Sequence, residues 1–223
     1  MNIPLAKIPI LNKRVRFPVS PHIPGGLATP ADLCRIAAVA EKYGGTLKIA
    51  GGNIVIIGLT LADGEAAMNE LGMRPESFLS NTIRGVTMCA GKPDCPRAQQ
   101  DSTALGLALD EEFFDQQTPG KLRIGVSGCP NCCAEVFVKD IGLFGTAAGF
   151  TVILGGSSGR QAQVGSIAAG NVPAEETAAL IRRIVDYYRN NAKNKERLGQ
   201  TINRLGLDHL VSQAIPSQYR LSK

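Results

Sequence analysis

Two close pairs of cysteines limit this chain more than any other feature. Five residues lie between Cys89 and Cys95 and three between Cys129 and Cys133, and the second pair lies in Ser127-Gly-Cys-Pro-Asn-Cys-Cys-Ala-Glu-Val-Phe-Val-Lys-Asp-Ile-Gly142. Soft thiolates select zinc, copper(I) or iron–sulfur clusters. Structural zinc sites favour short knuckles of two to four intervening residues, a habit these spacings match poorly. Free cysteine is also a common core residue. Against a core role here, Ala90-Gly-Lys-Pro-Asp94 and Pro130-Asn131 are turn-forming stretches, where a packed thiol has little reason to sit. The paired spacing therefore points to a metal or cluster site. Cys34, on the apolar side of an expected helix, reads as core. Cys132 makes a Cys-x2-Cys pair with Cys129 and competes with Cys133 as a ligand.

The rest of the chain organises around those pairs. Thr29-Pro30-Ala-Asp32 reads as an N-cap, a proline at the first helical position and an acidic third residue, with an apolar stripe of Leu33, Ile36, Ala37 and Ala40 and a stop at Gly44-Gly45. Thr46–Ala50 and Ile54–Ile57 are β-rich segments around Gly51-Gly52-Asn53, and a short helix is expected over 65–71. From residue 81, a helix is expected over Ala98–Phe114 and a strand over Lys121–Val126 that delivers the second cysteine pair. A further strand is expected over Phe150–Leu154, ending in Gly155-Gly-Ser-Ser-Gly159-Arg160. Such a glycine-rich turn either presents backbone N–H groups to a carboxylate or phosphate, or is a bare turn. Residues 174–192 form an amphipathic helix, with Leu180, Ile181, Ile184, Val185 and Tyr188 on its packing side.

Composition excludes several functions. A chain of 223 residues with 44% hydrophobic content can bury a sizeable core. Its longest apolar stretch, Ile54-Val-Ile-Ile-Gly-Leu59, is far too short for a membrane span, and the prolines and charges of the first sixteen residues do not suit a secretory signal. A cytoplasmic, reducing location is expected, which suits free thiolates. The net charge of +5 is not gathered into runs of Lys or Arg longer than two, and aromatics make up 5% with no Trp, so nucleic acid binding is not expected. There is no Gly-x-Gly-x-x-Gly fingerprint, so oxidation of NAD(P)H by this chain is not expected either.

The cysteine motifs resemble the sirohaem and [4Fe-4S] site of the sulfite and nitrite reductase family. That family's Gly-Cys-x3-Cys-x6-Asp-φ-Gly pattern, where φ is apolar, runs unbroken from Gly128 through Cys133 to Gly142. Arg84-Gly-Val-Thr-Met-Cys89-Ala-Gly and Cys95-Pro-Arg-Ala-Gln-Gln-Asp101-Ser match as well. In size and in carrying one module, the chain is most similar to the small assimilatory-type sulfite reductases. The resemblance implies an α+β fold, with a ferredoxin-like half-domain over 1–80 followed by an α/β sirohaem and [4Fe-4S]-binding module with C-terminal helices over 81–223. It implies that Cys89, Cys95, Cys129 and Cys133 hold the cluster and that Cys133 also ligates sirohaem, a polycarboxylate for which the excess cation has a use. Arg84, Lys121 and Arg123 correspond to anion-binding cations, with Arg84, Gly155, Gly156, Gly159 and Arg160 also toward the cofactor. A further family Arg, on the early strand pair, is replaced by Gly52.

The implied function is six-electron reduction of sulfite to sulfide, with nitrite to ammonia, a non-catalytic iron–sulfur carrier or a sirohaem-binding module as alternatives. Ferredoxin or a reductase subunit would be the electron donor. In duplicated relatives one module supplies the cysteines and the other most of the cations, so a single module implies either a homodimer that shares its sites or a more open monomer. Lys48, Arg97 and Arg160 are further candidates in the monomer.

Overall fold

Thr29 sets the first helix. Its hydroxyl accepts the Asp32 N–H while the Asp32 carboxylate accepts the Thr29 N–H, a reciprocal cap in front of α1 (Pro30–Lys42). This computed structural model describes residues 17–50, 52–76 and 81–221; the first sixteen residues, Gly51 and the expected boundary after residue 80 lie outside them. The chain is α+β and divides into two compact units, Met1–Ser77 and Phe78–Lys223.

In the first unit α1 is followed by β1 (Thr46–Ala50) and β2 (Asn53–Ile57), an antiparallel pair, and by α2 (Leu61–Leu71). Thr60 caps α2, so that helix starts before the expected residue 65, and Gly72 closes it at φ +62°. Ile36, Val39 and Ala40 bury against Ile56, Leu59, Ala67 and Leu71. Two expectations fail on α1. Leu33 is 44% exposed and Ala37 is exposed, and Cys34 is on the surface, not in the core. For Cys34 the cause is helical geometry: it is two positions from Ile36, through which the buried stripe passes, and residues two apart do not share a face. Between β1 and β2, Gly52 has φ +86° with open space where a Cβ would project. An arginine at this position would be strained by backbone, not by crowding.

In the second unit, a five-stranded mixed sheet runs β3-β4-β5-β6-β7. β3 (Thr87–Met88), β4 (Ile124–Ser127) and β5 (Ile141–Thr146) are parallel, β6 (Gly149–Leu154) pairs antiparallel with β5, and β7 (Ser166–Val172) pairs antiparallel with β6. α3 (Ser102–Phe113), α4 (Ala174–Asn191), α5 (Leu198–Leu205) and α6 (Leu207–Ala214) complete the unit. Leu105, Leu109 and Phe113 of α3 and Leu180, Ile181, Ile184 and Val185 of α4 share one core with Ile124, Val126, Leu143 and Val152 of the sheet. α3 begins at Ser102, not Ala98, because Asp101 caps it by accepting the N–H groups of Thr103 and Ala104. β4 begins at Ile124, not Lys121. The preceding Leu122 makes an isolated parallel bridge with Ile83.

Candidate active site

Parallel pairing brings the cysteine-bearing loops together. Thr87 faces Gly125 and Met88 faces Val126, so Cys89 leaves the C-terminal end of β3 beside the end of β4, from which Cys129 follows. The C-terminal ends of parallel strands are where open α/β sheets place their ligands. The Cys89 Sγ accepts the Gly128 N–H at 3.2 Å and lies 3.2 Å from the Ser102 Oγ. From the other loop, Gln99 and Gln100 both donate N–H to the Gly128 carbonyl, at 2.7 and 3.0 Å. A Cβ at Gly128 would stand 2.9 Å from the Gln100 carbonyl oxygen and 3.1 Å from the Ala98 Cβ, so glycine is what lets the two loops meet. Cys95 is set by its N–H to the Gly91 carbonyl at 2.7 Å.

The second loop separates its three cysteines. Cys129 is buried, Cys133 exposed and Cys132 in between. Cys132 has φ +54° and packs against the cluster of Ala134, Val136 and Ile153, as Phe137 and Phe144 do. Burial raises its thiol pKa, and the neighbouring Cys129 and Cys133 thiols raise it further. Cys132 is thus an apolar-facing thiol that resists ionisation, while Cys133 stands on the outside of the turn. Among the described residues, no three His, Cys, Asp or Glu side chains gather around one point as a single-ion site requires. A lone zinc ion needs every sulfur within about 2.3 Å of it. An iron–sulfur cubane has a separate iron for each thiolate and needs no such point.

The expected cations occupy the opposite end of the same strands. Arg84 precedes β3, Lys121 and Arg123 precede β4, and Asp140 precedes β5. At about 3.3 Å per residue, the five steps from Arg84 to Cys89 span roughly 16 Å. Arg84 is buried, and Lys121 and Arg123 are half-buried. The Lys121 ammonium pKa is lowered, first by burial, then by the positive charges of Arg123, Arg197 and Arg84, while Asp140 opposes the shift.

Arg197 was not marked by any sequence motif. It donates from Nε and Nη2 to the two Asp140 carboxylate oxygens and from Nη1 to the Ser157 Oγ at 3.0 Å. Asp140 also accepts the Arg123 N–H at 2.8 Å. Burial pushes the Asp140 carboxyl pKa up, against the pull of Arg197 and the Arg123 amide. All these partners are donors, so the ionised form is the one the site is built around.

The glycine-rich turn lies at this cation end, since Leu154 pairs with Ile141. Gly155, at φ +87°, donates its N–H to the Asp140 carbonyl at 2.9 Å. A Cβ at Gly156 would stand 2.4 Å from the Phe137 carbonyl oxygen and 2.5 Å from that of Lys139. These two glycines are needed for close backbone packing, whereas Gly159 and Arg160 are exposed. Arg97 and Lys48 are exposed as well.

Comparison with known proteins gives the family. A model of the nitrite and sulphite reductase 4Fe-4S domain matches residues 80–220, and one of the nitrite/sulfite reductase ferredoxin-like half domain matches 11–74. The assimilatory-type sulfite reductase of Nitratidesulfovibrio vulgaris is 31% identical over 204 residues, 91% of this chain and 93% of that protein. The NAD(P)H nitrite reductase of Bacillus subtilis is 34% identical over 204 residues, but only 25% of its length is covered. In fold, the chain is similar to dissimilatory sulfite reductase I (TM-score 0.77, 16% identity, 93% of this chain and 72% of that one). Two parallel strands that place a cysteine pair at one end and cations at the other, under family models spanning most of the sequence, identify an oxidoreductase module: the chain belongs to the nitrite and sulphite reductase family.

Proposed function

We propose that this protein reduces sulfite to sulfide, drawing electrons from an external low-potential donor, a ferredoxin or a reductase subunit, in the reducing cytoplasm. Residues 1–80 are its ferredoxin-like half-domain and 81–223 its cofactor module. The observation that carries the reading is the set of cations at one end of the strands, Arg84 before β3 and Lys121 and Arg123 before β4, with Arg197 held beside them by Asp140. Coverage of 93% of a sulfite reductase, against a quarter of a nitrite reductase, favours sulfite.

The residues suit the family's cofactors. Four cysteines on two abutting loops, without a single-ion geometry, match a [4Fe-4S] cluster held by Cys89, Cys95, Cys129 and Cys133. The outward Cys133, rather than the apolar-facing Cys132, would be the ligand shared with the sirohaem iron. Arg84, Gly159 and Arg160 would meet the sirohaem carboxylates, with Gly155 and Gly156 shaping the turn by close backbone packing. Sirohaem would supply the iron at which the substrate binds, and the cluster would supply the electrons.

This chain's own residues do the rest. Arg84, Lys121 and Arg123 hold the anion and neutralise charge on its oxygens. Converting sulfite to hydrosulfide and three waters takes six electrons and seven protons. The depressed pKa of Lys121 brings its Nζ closer to the range in which an ammonium passes a proton to an oxygen. Because cations and cysteines sit at opposite strand ends, one chain's cations serve the sirohaem of a second copy, in a two-fold homodimer. Nitrite, smaller and of lower charge, is the second reading, favoured by the 34% identity to a nitrite reductase.

The test is turnover of anaerobically purified protein with a reduced artificial donor, scoring sulfide from sulfite and ammonia from nitrite. Sulfide formed with six electrons consumed per sulfite is expected. Faster ammonia formation from nitrite would transfer the assignment to nitrite, and cluster absorption without turnover of either anion would leave an electron carrier.

A further inference from the structure

We propose that Asp140 and Arg197 are positioning residues that hold Lys121 and Arg123 in place for the anion; the inference rests on the anion-site reading above. The Arg197 fork points inward. Its Nε and Nη2 are given to Asp140 and its Nη1 to Ser157, so each of its three nitrogens is engaged by the protein. Asp140 in turn fixes the start of β4 by accepting the Arg123 N–H, and the next residue, Ile141, returns its own N–H to the Arg123 carbonyl at 3.1 Å. One carboxylate therefore ties together the cation strand, the N-terminus of α5 and, through Arg197, the glycine-rich turn.

A second clamp holds the same segments from behind. The Tyr188 hydroxyl accepts the Gly120 N–H at 3.0 Å and donates to the Glu196 carbonyl at 2.5 Å, joining the residues directly before Lys121 and Arg197. The Lys195 N–H reaches the Pro119 carbonyl at 2.7 Å. A Cβ at Gly120 would lie 2.6 Å from the Glu196 carbonyl oxygen, so the two segments are in backbone contact.

Electrostatics gives the buried carboxylate a purpose. An ionised Asp with no exposed surface is costly to bury. It interacts with Lys121 and Arg123 before β4 and with Arg197 at α5, while the phenol of Tyr188 on α4 stays protonated. Asp140 opposes the mutual repulsion of those cations and keeps Lys121 charged to higher pH.

The test compares steady-state kinetics of the holoenzyme and its variants, with sirohaem and cluster absorption as loading controls. Arg197→Lys keeps the charge but loses the fork, and should raise the sulfite KM about tenfold with loading unchanged. Asp140→Asn should move the basic limb of the kcat/KM profile to lower pH, because Lys121 loses the charge that raises its pKa. If Asp140→Asn does not fold, Arg197→Lys and Ser157→Ala decide alone, the latter with a smaller rise in KM. Wild-type KM in Arg197→Lys, or an unmoved basic limb in folded Asp140→Asn, overturns the positioning role. Lys121→Met separates the two levels. If it reduces sulfite as wild type does, the anion-site reading fails; if it loses turnover with loading intact while Arg197→Lys keeps the wild-type KM, only the positioning role fails.

Discussion

Removing the Tyr188 hydroxyl alone should loosen the cation end without emptying the core. Tyr188→Phe keeps the ring, which is fully buried, and so leaves its packing against the α4 and sheet core in place. It deletes two hydrogen bonds, one from the Gly120 N–H and one to the Glu196 carbonyl. Each buried backbone group left unsatisfied costs about 1–3 kcal/mol. Some relief comes from the second lone pair of the carbonyl, which puts the expected loss at about 3 kcal/mol. For a domain of this size about 1 kcal/mol moves Tm by 2–4 °C, so the transition of the second unit should fall by roughly 6–12 °C. Burial, reinforced by the Asp140 charge, pushes the phenol pKa up beyond the usual tyrosine range. The wild-type hydroxyl is therefore a donor throughout the neutral range, and the deficit should not change between about pH 6 and 9. Urea unfolding measured alongside calorimetry should give a lower midpoint at the same m value. A loss below about 1 kcal/mol, or one that varies with pH in that window, would refute the clamp.

Three further outcomes follow from particular contacts. Gly128→Ala puts a methyl 2.9 Å from the Gln100 carbonyl and should lower bound iron per chain while the far-ultraviolet circular dichroism stays close to wild type. Arg204 holds the Glu196 carboxyl down to about 2, so the stability this pair contributes is present above the unfolded value of about 4.3 and is lost as pH falls toward 2. Glu196→Gln should flatten that acid limb in urea titrations. For the shared site, Lys121→Met and Cys133→Ser are each expected to be inactive, yet subunit exchange between them should restore about a quarter of wild-type activity, since half the dimers are mixed and each holds one intact site. No recovery on exchange would place the cations and the sirohaem within one chain.

What could be read from the sequence was what is local. The cap at Thr29 and Asp32, the helix beginning at Ala174 and the strand ending at Leu154 each carry their signal within a few residues. β5 escaped notice because Ile-Gly-Leu-Phe-Gly-Thr is buried on both faces and shows no alternation, and β7 because Ser-Ile-Ala-Ala-Gly-Asn-Val is built of small residues. The cysteines announced themselves by spacing and turn chemistry. Arg197 did not, because its meaning lies in Asp140, 57 residues earlier, and in Ser157, 40 residues earlier. The glycine-rich turn was ambiguous in sequence for a physical reason: Gly156 is needed where backbone meets backbone, and that need leaves the same trace as a ligand cradle.

The most direct test of the site is the absorption and paramagnetic resonance of anaerobically purified Cys133→Ser beside Cys132→Ser. Cys133 stands outside the turn and Cys132 is packed against Val136 and Ile153. Cys133→Ser should therefore disturb the cluster and sirohaem signals together, and Cys132→Ser should leave both close to wild type. The reverse pattern would make Cys132 the shared ligand and contradict the assignment.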